Sequence, residues 1–355
     1  MAYAPKPLLP GDAFEAALRF GLALEQDLAH RQDPPDRAAC LARHWRDLLE
    51  LGWAGTLLPE AAGGAGGAIA DLVALADGAG RSAMPLPVAA ACGVVPMLLR
   101  AVPDAAMQAA VATGRMRPCP VLEPGAVTAR MEGEGWLLEG SLLGLELVPE
   151  PTHYLLACPI AAAEPGLFLL PADAPGLAVT RHLRIDGRLS ADLALHSPAR
   201  LLARGAAVRE AVAAARDLGA FLTCVEAVSA MGALIEQTIA YLSARVQFGT
   251  ALASFQALRH RVAEMHVAAE NTRGLVAQLL RAAGTAPALP WREVSFAKLR
   301  LGEAGRFVAE AAIQMHGGMG VTEALPASRL ARRIMLAEFE YGDRNWHAAR
   351  LLEAA

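Results

Sequence analysis

The spacing of hydrophobic positions divides the chain into three blocks, of which the first is helical. From Asp12 to about Arg115, apolar residues recur every three to four positions. Asp12 and Asp36 are predicted N-caps, and further helices are predicted over 69–80 and 87–100. The second helix, which ends near Gly52, has Arg43 and Arg46 off an apolar face formed by Leu41, Trp45, Leu48 and Leu49. The pattern predicts an N-terminal helical domain over residues 1–115.

The second block has short apolar runs between frequent prolines and glycines. It covers residues 116–200, and strands are predicted at 127–131, 135–139, 154–158, 167–170, 177–180 and 192–195. Strands this short, with turns this frequent, favour a small antiparallel barrel or sandwich.

The third block, residues 201–355, consists of long helical segments. Helices are predicted over 205–245, 251–283, 291–316 and 323–353, the last broken near Gly342. Antiparallel helices of this length are typical of a four-helix bundle. The predicted fold class is therefore α+β and mostly α, with a β domain between two helical domains.

Composition narrows the possible partners and the compartment. The 355 residues are 54% hydrophobic and 19% charged, which excludes a disordered chain. A net charge of −4 gives no electrostatic basis for nucleic acid, and no basic run favours a membrane surface. No apolar stretch of about 20 residues lacks a charge, so no spanning helix is expected. No signal peptide is apparent, and five scattered cysteines are typical of free thiols in the cytoplasm.

Two weak motifs favour structural roles. The glycine cluster at 63–67 lacks a preceding strand, a following lysine and GxGxxG order, so it predicts a loop between helices. His260 and Glu264, with His266 nearby, form an i,i+4 helix pair whose spacing is not HExxH. No metal site is predicted.

Two helix-ending corners are more specific. At the first, Arg245-Val-Gln-Phe248-Gly249 ends a helix shortly before Gln256. Its arginine could bind a diphosphate or simply complement a helix C-terminus. At the second corner, the helix predicted over 291–316 ends in the sequence Gln314-Met-His-Gly317-Gly318-Met-Gly. Its glycines could admit a ligand to the backbone or simply permit the turn.

Together the two corners resemble those of the acyl-CoA dehydrogenase family, which has R-x-x-F-G and, about 60 residues later, Q-x-x-G-G-x-G. The segment 53–67 is similar to the family's G-W-x-G-x-x-x-P-E-x-x-G-G-x-G, and 119–126 to its T-E-P-x-A-G-S. The resemblance covers almost the whole chain in order. It implies an N-terminal helical domain, a middle β-barrel and a C-terminal four-helix bundle, usually assembled as tetramers.

The resemblance implies an oxidoreductase that uses FAD to form the α,β double bond of an acyl-CoA thioester, with an electron-transfer flavoprotein as a possible acceptor. The ADP end of FAD, seated largely in the neighbouring subunit, would be contacted by Arg245, Gln256, Gln314, Gly317 and Gly318. Phe248 would pack near it, and Met315 and His316 belong to the same binding segment.

The chain departs from the family pattern where the flavin ring is held. Leu122 replaces the threonine before Glu-Pro, so a hydroxyl is lost. Gly144 replaces the tryptophan of W-I-T, and Glu146 replaces its threonine. An anionic Glu146 near the flavin would oppose its reduction.

The family's catalytic base is also altered. Tyr341 falls at the usual base position, and a free tyrosine has a pKa of about 10. The alternative position, on the first long C-terminal helix, is occupied by Gly219. Glu340 lies one residue away from the usual position, and the other possible substitutes are Asp217 and Glu226.

We hypothesise a supporting subunit of a heteromeric α₂β₂ dehydrogenase, which pairs with a catalytic homologue and completes its FAD site. The ending Gly342-Asp343-Arg-Asn-Trp-His347 resembles the bacterial branch that acts on steroid or other bulky CoA esters. One alternative is a self-sufficient homotetramer with Glu340 as a relocated base. Another is a flavin-free assembly protein on the same fold.

Overall fold

The structure is a computed structural model, and it describes residues 3–31, 33–160, 164–284, 288–323 and 325–353. The chain forms two compact units. One comprises residues 1–25, 73–84 and 220–355, and the other comprises 26–72 and 85–219. The domain boundaries at residues 115 and 200 remain a prediction.

The N-terminal helices follow the predicted periodicity. They are α1 (Asp12–Ala29), α2 (Pro34–Glu50), α3 (Ile69–Arg81), α4 (Val95–Leu98) and α5 (Ala105–Ala112). The apolar face of α2 is buried, whereas Arg43 and Arg46 are exposed, as the pattern predicts. Residues 60–62 form a short 3₁₀ turn at the start of the glycine loop.

The predicted N-caps are wrong by a few residues. Helix α2 begins at Pro34 with Asp33 as its N-cap, so Asp36 lies within the first turn. Proline is well suited to the first turn, where its missing N–H would have no partner. Asp12 is the first residue of α1 and not its cap. The helix predicted over 87–100 contains a π-helical turn, Ala89–Val94, before Pro96, which lacks an N–H.

A seven-stranded sheet forms the middle of the chain. Its strands are β1 (Pro118–Val121), β2 (Thr128–Glu132), β3 (Gly135–Glu146), β4 (His153–Ile160), β5 (Glu164–Pro171), β6 (Leu177–Leu183) and β7 (Leu189–Arg204). The pairing order is β1-β4-β5-β7-β3-β2, with β6 also paired to β7. All of these pairs are antiparallel except β1 with β4. The periodicity missed β1, in which prolines occupy two of the four positions.

Long helices form the C-terminal part. They are α6 (Ala206–Ala244), α7 (Gln256–Ala283), α8 (Trp291–His316), α9 (Pro326–Ala337) and α10 (Arg344–Glu353). Between α6 and α7 lies a hairpin of β8 (Val246–Gln247) and β9 (Thr250–Ala251). Helix α7 therefore begins five residues later than predicted. The expected break near Gly342 is confirmed, since α9 ends at Ala337 and α10 starts at Arg344.

Helix α6 also passes a length and hydropathy test for crossing a membrane. Its most apolar 18-residue window has a mean hydropathy of 1.8, and the whole window is buried in the fold. A buried apolar helix of this kind is typical of a protein core. The expected fold class, α+β and mostly α, is confirmed.

Candidate functional site

An aromatic contact joins the two corners that the sequence singled out. The rings of Tyr241, near the end of α6, and His316, the last residue of α8, have centroids 4.5 Å apart. The Tyr241 hydroxyl also donates a hydrogen bond to the His316 carbonyl at 3.3 Å. Arg245 follows Tyr241 by one helical turn, and its backbone N–H donates to the Tyr241 carbonyl. The Arg245 corner and the Gln314–Gly318 corner therefore lie at one end of the same helical unit.

The first corner is a tight hairpin with an unusual turn. Phe248 and Gly249 have φ angles of +55° and +79°, the sign that a type I′ hairpin turn requires. Phenylalanine adopts this conformation at an energetic cost. Its ring is 90% exposed and makes an edge contact with Phe255 at 6.1 Å. A strained aromatic residue held in solvent indicates a binding role more than a packing role.

The charged and amide groups of the corners point outwards. Arg245, Gln256 and Gln314 are all exposed. Among the described residues, no hydrogen bond or ion pair reaches the Arg245 guanidinium or the Gln314 amide. The Gln256 amide approaches only His260, at 3.4 Å. These polar groups are thus available to a ligand.

The glycines of the second corner expose backbone. Gly317 has φ +60° and ψ −143°, a conformation essentially restricted to glycine. A Cβ added at Gly317 or Gly318 would meet no atom within 4 Å, so open space lies beside both residues. Met315 and His316 are instead buried, and the His316 ring Nδ1 lies 2.8 Å from the Ala312 carbonyl. Their side chains support the corner from inside the fold.

These two corners fit the ADP end of FAD. An exposed guanidinium and two exposed amides supply donors for a diphosphate, and the open glycine backbone permits close approach. Arg245, Gln256, Gln314, Gly317 and Gly318 are the residues that would hold it, as the sequence predicts. When bound, FAD would supply the hydride acceptor of the reaction.

The region around the usual base position is a buried charge network. Arg333 on α9 donates from Nη1 and Nη2 to the two carboxylate oxygens of Glu340, at 2.6 and 2.7 Å. Its Nη2 also donates to Glu226 on α6 at 3.0 Å. The exposed fractions of the Arg333 and Glu226 side chains are 2% and 1%. One guanidinium thus holds both carboxylates that the sequence suggested as substitute bases in this unit.

Lys298 fixes the backbone that carries these residues. Its ammonium on α8 donates to the carbonyls of Ala337, Glu338 and Glu340 at 2.7, 3.0 and 2.7 Å. Burial lowers the pKa of Lys298, while Cys224 and Glu340 oppose that effect. The bonds pin the segment after α9, where Tyr341 has a φ of +56° and is half-buried. Sequence reasoning missed Lys298 and Arg333, although Lys298 is one of only two lysines in the chain.

In the β domain, Glu146 belongs to a charge-balanced cluster. Its carboxylate accepts a hydrogen bond from Arg188 Nη1 at 2.8 Å, and Arg184 lies 4.0 Å away. Arg184 in turn pairs with the buried Asp186 at 3.2 Å. Arg188 and Arg184 lie beside the Glu146 carboxylate, so the sequence-based expectation that its negative charge would oppose flavin reduction has to allow for these two neighbouring cations. The carboxylate is instead fixed as the partner of Arg188, which is 2% exposed.

The remaining predicted positions in this unit offer no hydroxyl for a flavin ring. Leu122 follows β1 and is half-buried. Gly144 lies in a bulge of β3 with a φ of +68°, and its N–H donates to Asp192. Asp217 and Gly219 lie on the buried side of α6. Neither Leu122 nor Gly144 can supply the bond or stacking surface that the family places there, so the residues present do not fit the ring end.

Comparison with known proteins defines the class. Residues 206–355 match the family described as acyl-CoA dehydrogenase, C-terminal domain. The chain is 28% identical over 284 residues to acyl-CoA dehydrogenase IpdE2 of Mycobacterium tuberculosis, covering 78% of this chain and 76% of that one. It is 29% identical to acyl-CoA dehydrogenase FadE34 of the same organism, covering 78% of this chain and 37% of that longer one.

Solved structures agree over nearly the full length. A variant of the Tcur3481-Tcur3483 steroid ACAD is 26% identical, with a TM-score of 0.80 and 96% of each chain covered. The ChsE4-ChsE5 complex from Mycobacterium tuberculosis is 20% identical, with a TM-score of 0.81 and 98% of each chain covered, and it supports the fold. The C-terminal part of the chain, residues 206–355, is thus an acyl-CoA dehydrogenase C-terminal domain, and the whole chain is similar to acyl-CoA dehydrogenases in sequence and fold. At the level of the family, these relatives support FAD-dependent oxidation of acyl-CoA thioesters.

Proposed function

We propose that this chain is the supporting subunit of a heteromeric acyl-CoA dehydrogenase. It presents the Arg245 and Gln314–Gly318 corners to an FAD seated in a homologous catalytic subunit, and it does not itself remove the substrate's α-proton. The observation that carries the proposal is the double hydrogen bond from Arg333 to Glu340, the carboxylate nearest the usual base position.

A general base needs a lone pair directed at the proton it removes. Both Glu340 oxygens accept short bonds from Arg333, and charge-assisted bidentate pairs of this kind are the strong ones. Moving Glu340 towards a substrate would break both of these bonds to the buried guanidinium. Tyr341, at the base position itself, offers a phenol in place of a carboxylate. The homotetramer with Glu340 as its base is therefore disfavoured.

The altered ring end supports the same proposal. Leu122 has no hydroxyl, and the Glu146 carboxylate is engaged by Arg188. The outward-facing Arg245 and the open backbone at Gly317 and Gly318 keep the donors for an ADP group. A chain that preserves one end of a cofactor site and alters the other is suited to completing a site whose remainder lies on a different subunit.

The relatives suggest the substrate class. The 26% identical structure is named as a two-component steroid ACAD, and the ChsE4-ChsE5 structure is a complex of two components. We extend these features to the present chain, so that its assembly is a heterotetramer and its substrate a CoA ester of a steroid or another bulky acid. The proposed electron acceptor of this complex is an electron-transfer flavoprotein, and the proposed location of the chain is the cytoplasm.

Flavin content separates the possible assemblies. The chain should be purified alone and after co-expression with a homologous dehydrogenase, and absorbance recorded across the flavin bands. We expect no stoichiometric flavin in the chain alone and bound flavin, bleached by an acyl-CoA, in the complex. Stoichiometric flavin in the chain alone, bleached by substrate, would refute the supporting role. No flavin in either sample would favour the flavin-free assembly protein.

Two variants of the complex sharpen this test. Arg245→Ala should lose most of the bound flavin, whereas Arg306→Ala, which removes an exposed arginine on α8, should retain it. Glu340→Gln should leave the rate of substrate-dependent flavin bleaching within about twofold. If Glu340 were the base, that rate would fall by about 10²–10⁴-fold.

A further inference from the structure

Three side chains of metal-ligand type converge between the last turn of α1 and the middle of α2. They are Asp27, Cys40 and His44, and one ligand atom of each lies within 4.8 Å of the others. All three belong to the unit that contains the sheet. The sequence predicts no metal site, because the five cysteines are widely scattered without a CxxC pair and His260 and Glu264 lack the HExxH spacing. None of the three takes part in the FAD or charge-network features described above.

The local structure explains the convergence. Cys40 and His44 are four residues apart on α2, so their side chains lie on the same face one turn apart. Asp27 lies in the last turn of α1. Cys40 and His44 are 4% and 8% exposed, whereas the Asp27 side chain is 44% exposed. The cluster thus has a buried floor and one side open to solvent through which an ion could enter.

A cationic nitrogen already lies among these ligand atoms. Arg43 Nη2 is 2.5 Å from Asp27 Oδ2, 3.2 Å from His44 Nε2 and 3.9 Å from Cys40 Sγ. The Asp27 carboxylate therefore already binds a cationic nitrogen, with the His44 imidazole and the Cys40 thiol beside it. The Arg43 side chain is 52% exposed, and an exposed ion pair contributes little to stability, so the arginine can rotate into solvent at small cost.

We propose that Asp27, Cys40 and His44 bind a zinc-class divalent ion in place of the Arg43 guanidinium. Zinc accepts thiolate, imidazole and carboxylate ligands at about 2.0–2.3 Å, so tetrahedral ligand atoms lie about 3.3–3.8 Å apart. The present cluster needs adjustments of about an ångström. His44 Nε2 and Asp27 Oδ2, now 2.7 Å apart, would separate as both turn to the ion. A water would take the fourth position.

The second nitrogen of His44 has a carboxylate beside it. His44 Nδ1 lies 3.9 Å from Asp47 Oδ2 on the same helix. Metal-bound histidines usually direct their other ring nitrogen at such a group, which fixes the tautomer and raises the basicity of the ligand.

Cobalt is the informative probe, because a cobalt–thiolate bond gives a charge-transfer band in the near ultraviolet. The untagged full-length chain, stripped with a chelator, should be titrated with Co²⁺ and then with Zn²⁺. We expect one equivalent of Co²⁺ to produce the band and one of Zn²⁺ to remove it. Zn²⁺ should also raise the melting temperature of the wild-type chain.

Variants assign the ligands. Cys40→Ala should abolish the band, and His44→Gln and Asp27→Asn should each weaken Zn²⁺ binding at least tenfold. Arg43→Gln should tighten binding severalfold, because it removes the competing cation. Cys158→Ala and His260→Gln, which remove a thiol and an imidazole elsewhere, are the matched controls and should change nothing.

Asp27 is partly exposed, so Asp27→Asn tests the site even if Cys40→Ala fails to fold. The proposal is overturned if the wild-type chain gives no charge-transfer band. It is equally overturned if Asp27→Asn and His44→Gln bind Zn²⁺ as tightly as the wild type, or if Arg43→Gln leaves affinity unchanged.

Discussion

Arg333 donates a hydrogen bond to each carboxylate oxygen of Glu340, at 2.6 and 2.7 Å, and the Arg333 side chain is 2% exposed. The same guanidinium reaches Glu226 on α6. One cation therefore neutralises two carboxylates that face the interior, and the network links α6, α9 and the segment after α9. In a catalytic dehydrogenase this segment presents the base, whereas here its carboxylate is held by a guanidinium.

Replacement of Arg333 should destabilise the chain strongly. Arg333→Met removes the guanidinium that donates to Glu226 and Glu340, and breaking a buried pair of this kind costs about 3–5 kcal/mol. Urea denaturation of the isolated chain measures this loss. Arg306→Met, which removes an arginine from an exposed pair with Glu310, should change the free energy of unfolding by less than about 0.5 kcal/mol. A loss below about 1 kcal/mol for Arg333→Met would contradict the network's role.

Lys298 should prove equally hard to replace. Lys298→Met keeps the stem but leaves the carbonyls of Ala337, Glu338 and Glu340 without their donor. Unmet buried acceptors cost about 1–3 kcal/mol each, with partial relief from water, so we expect a loss of about 2–4 kcal/mol in urea denaturation. Lys6, the chain's other lysine, is exposed, and Lys6→Met provides the control. Equal stability of the two variants would show that the three bonds contribute little.

The helices and strands were predictable because the spacing of apolar residues along the chain indicates which face of each element is buried. The apolar face of α2 and the long helices follow directly from residue spacing, and six of the seven sheet strands overlap the short apolar runs that predicted them. The strand β1 was missed because Pro118 and Pro120 lower its strand propensity, yet it pairs in parallel with β4. A strand whose only partner is distant in sequence leaves no local signal.

The site was only partly predictable. The two corner motifs could be found because each has fixed spacing, and the structure joins them through Tyr241 and His316. The charge network could not be found, because Glu226 and Arg333 are 107 residues apart and only the fold brings them together. The same holds for Glu146, whose partner Arg188 lies 42 residues away and could not be found from the sequence alone.

Restoring the family's threonine at position 146 should not create a flavin site by itself. Glu146→Thr deprives the buried Arg188 of its carboxylate, so we expect a loss of about 2–4 kcal/mol in the free energy of unfolding and no gain of bound flavin. Flavin absorbance and urea denaturation of the purified variant check both outcomes. Glu139→Thr, at an exposed position of the same strand, is the matched control. A stable Glu146→Thr variant that retained flavin would contradict the assigned role of Arg188.

The buried Asp77 should give stability a distinct pH dependence. Burial raises the pKa of Asp77, although Ser229 and the backbone N–H of Leu8 donate hydrogen bonds to it. A carboxyl with a raised pKa favours the fold most when protonated, and this contribution diminishes as pH rises through its folded pKa. Asp77→Asn should therefore gain stability relative to the wild type as the pH rises above about 4, the pKa of an unfolded aspartate. Urea denaturation of both proteins at several pH values measures this difference in the free energy of unfolding. If the wild type became more stable relative to Asp77→Asn as the pH rose, the prediction would be wrong.

Phe248 should show opposite effects on stability and on function. Its φ of +55° is costly for phenylalanine and easier for asparagine, and its ring is 90% exposed, so little packing is lost on replacement. Phe248→Asn should therefore raise the free energy of unfolding of the isolated chain by about 0.5–1 kcal/mol. In the complex with a catalytic homologue, the same change should reduce flavin retention, because the proposed site has the Phe248 ring packing near the cofactor. Phe296→Asn, at another exposed aromatic position on α8, serves as the control for loss of a surface ring. If Phe248→Asn stabilised the chain and left flavin retention intact, the strained turn would have no role in binding.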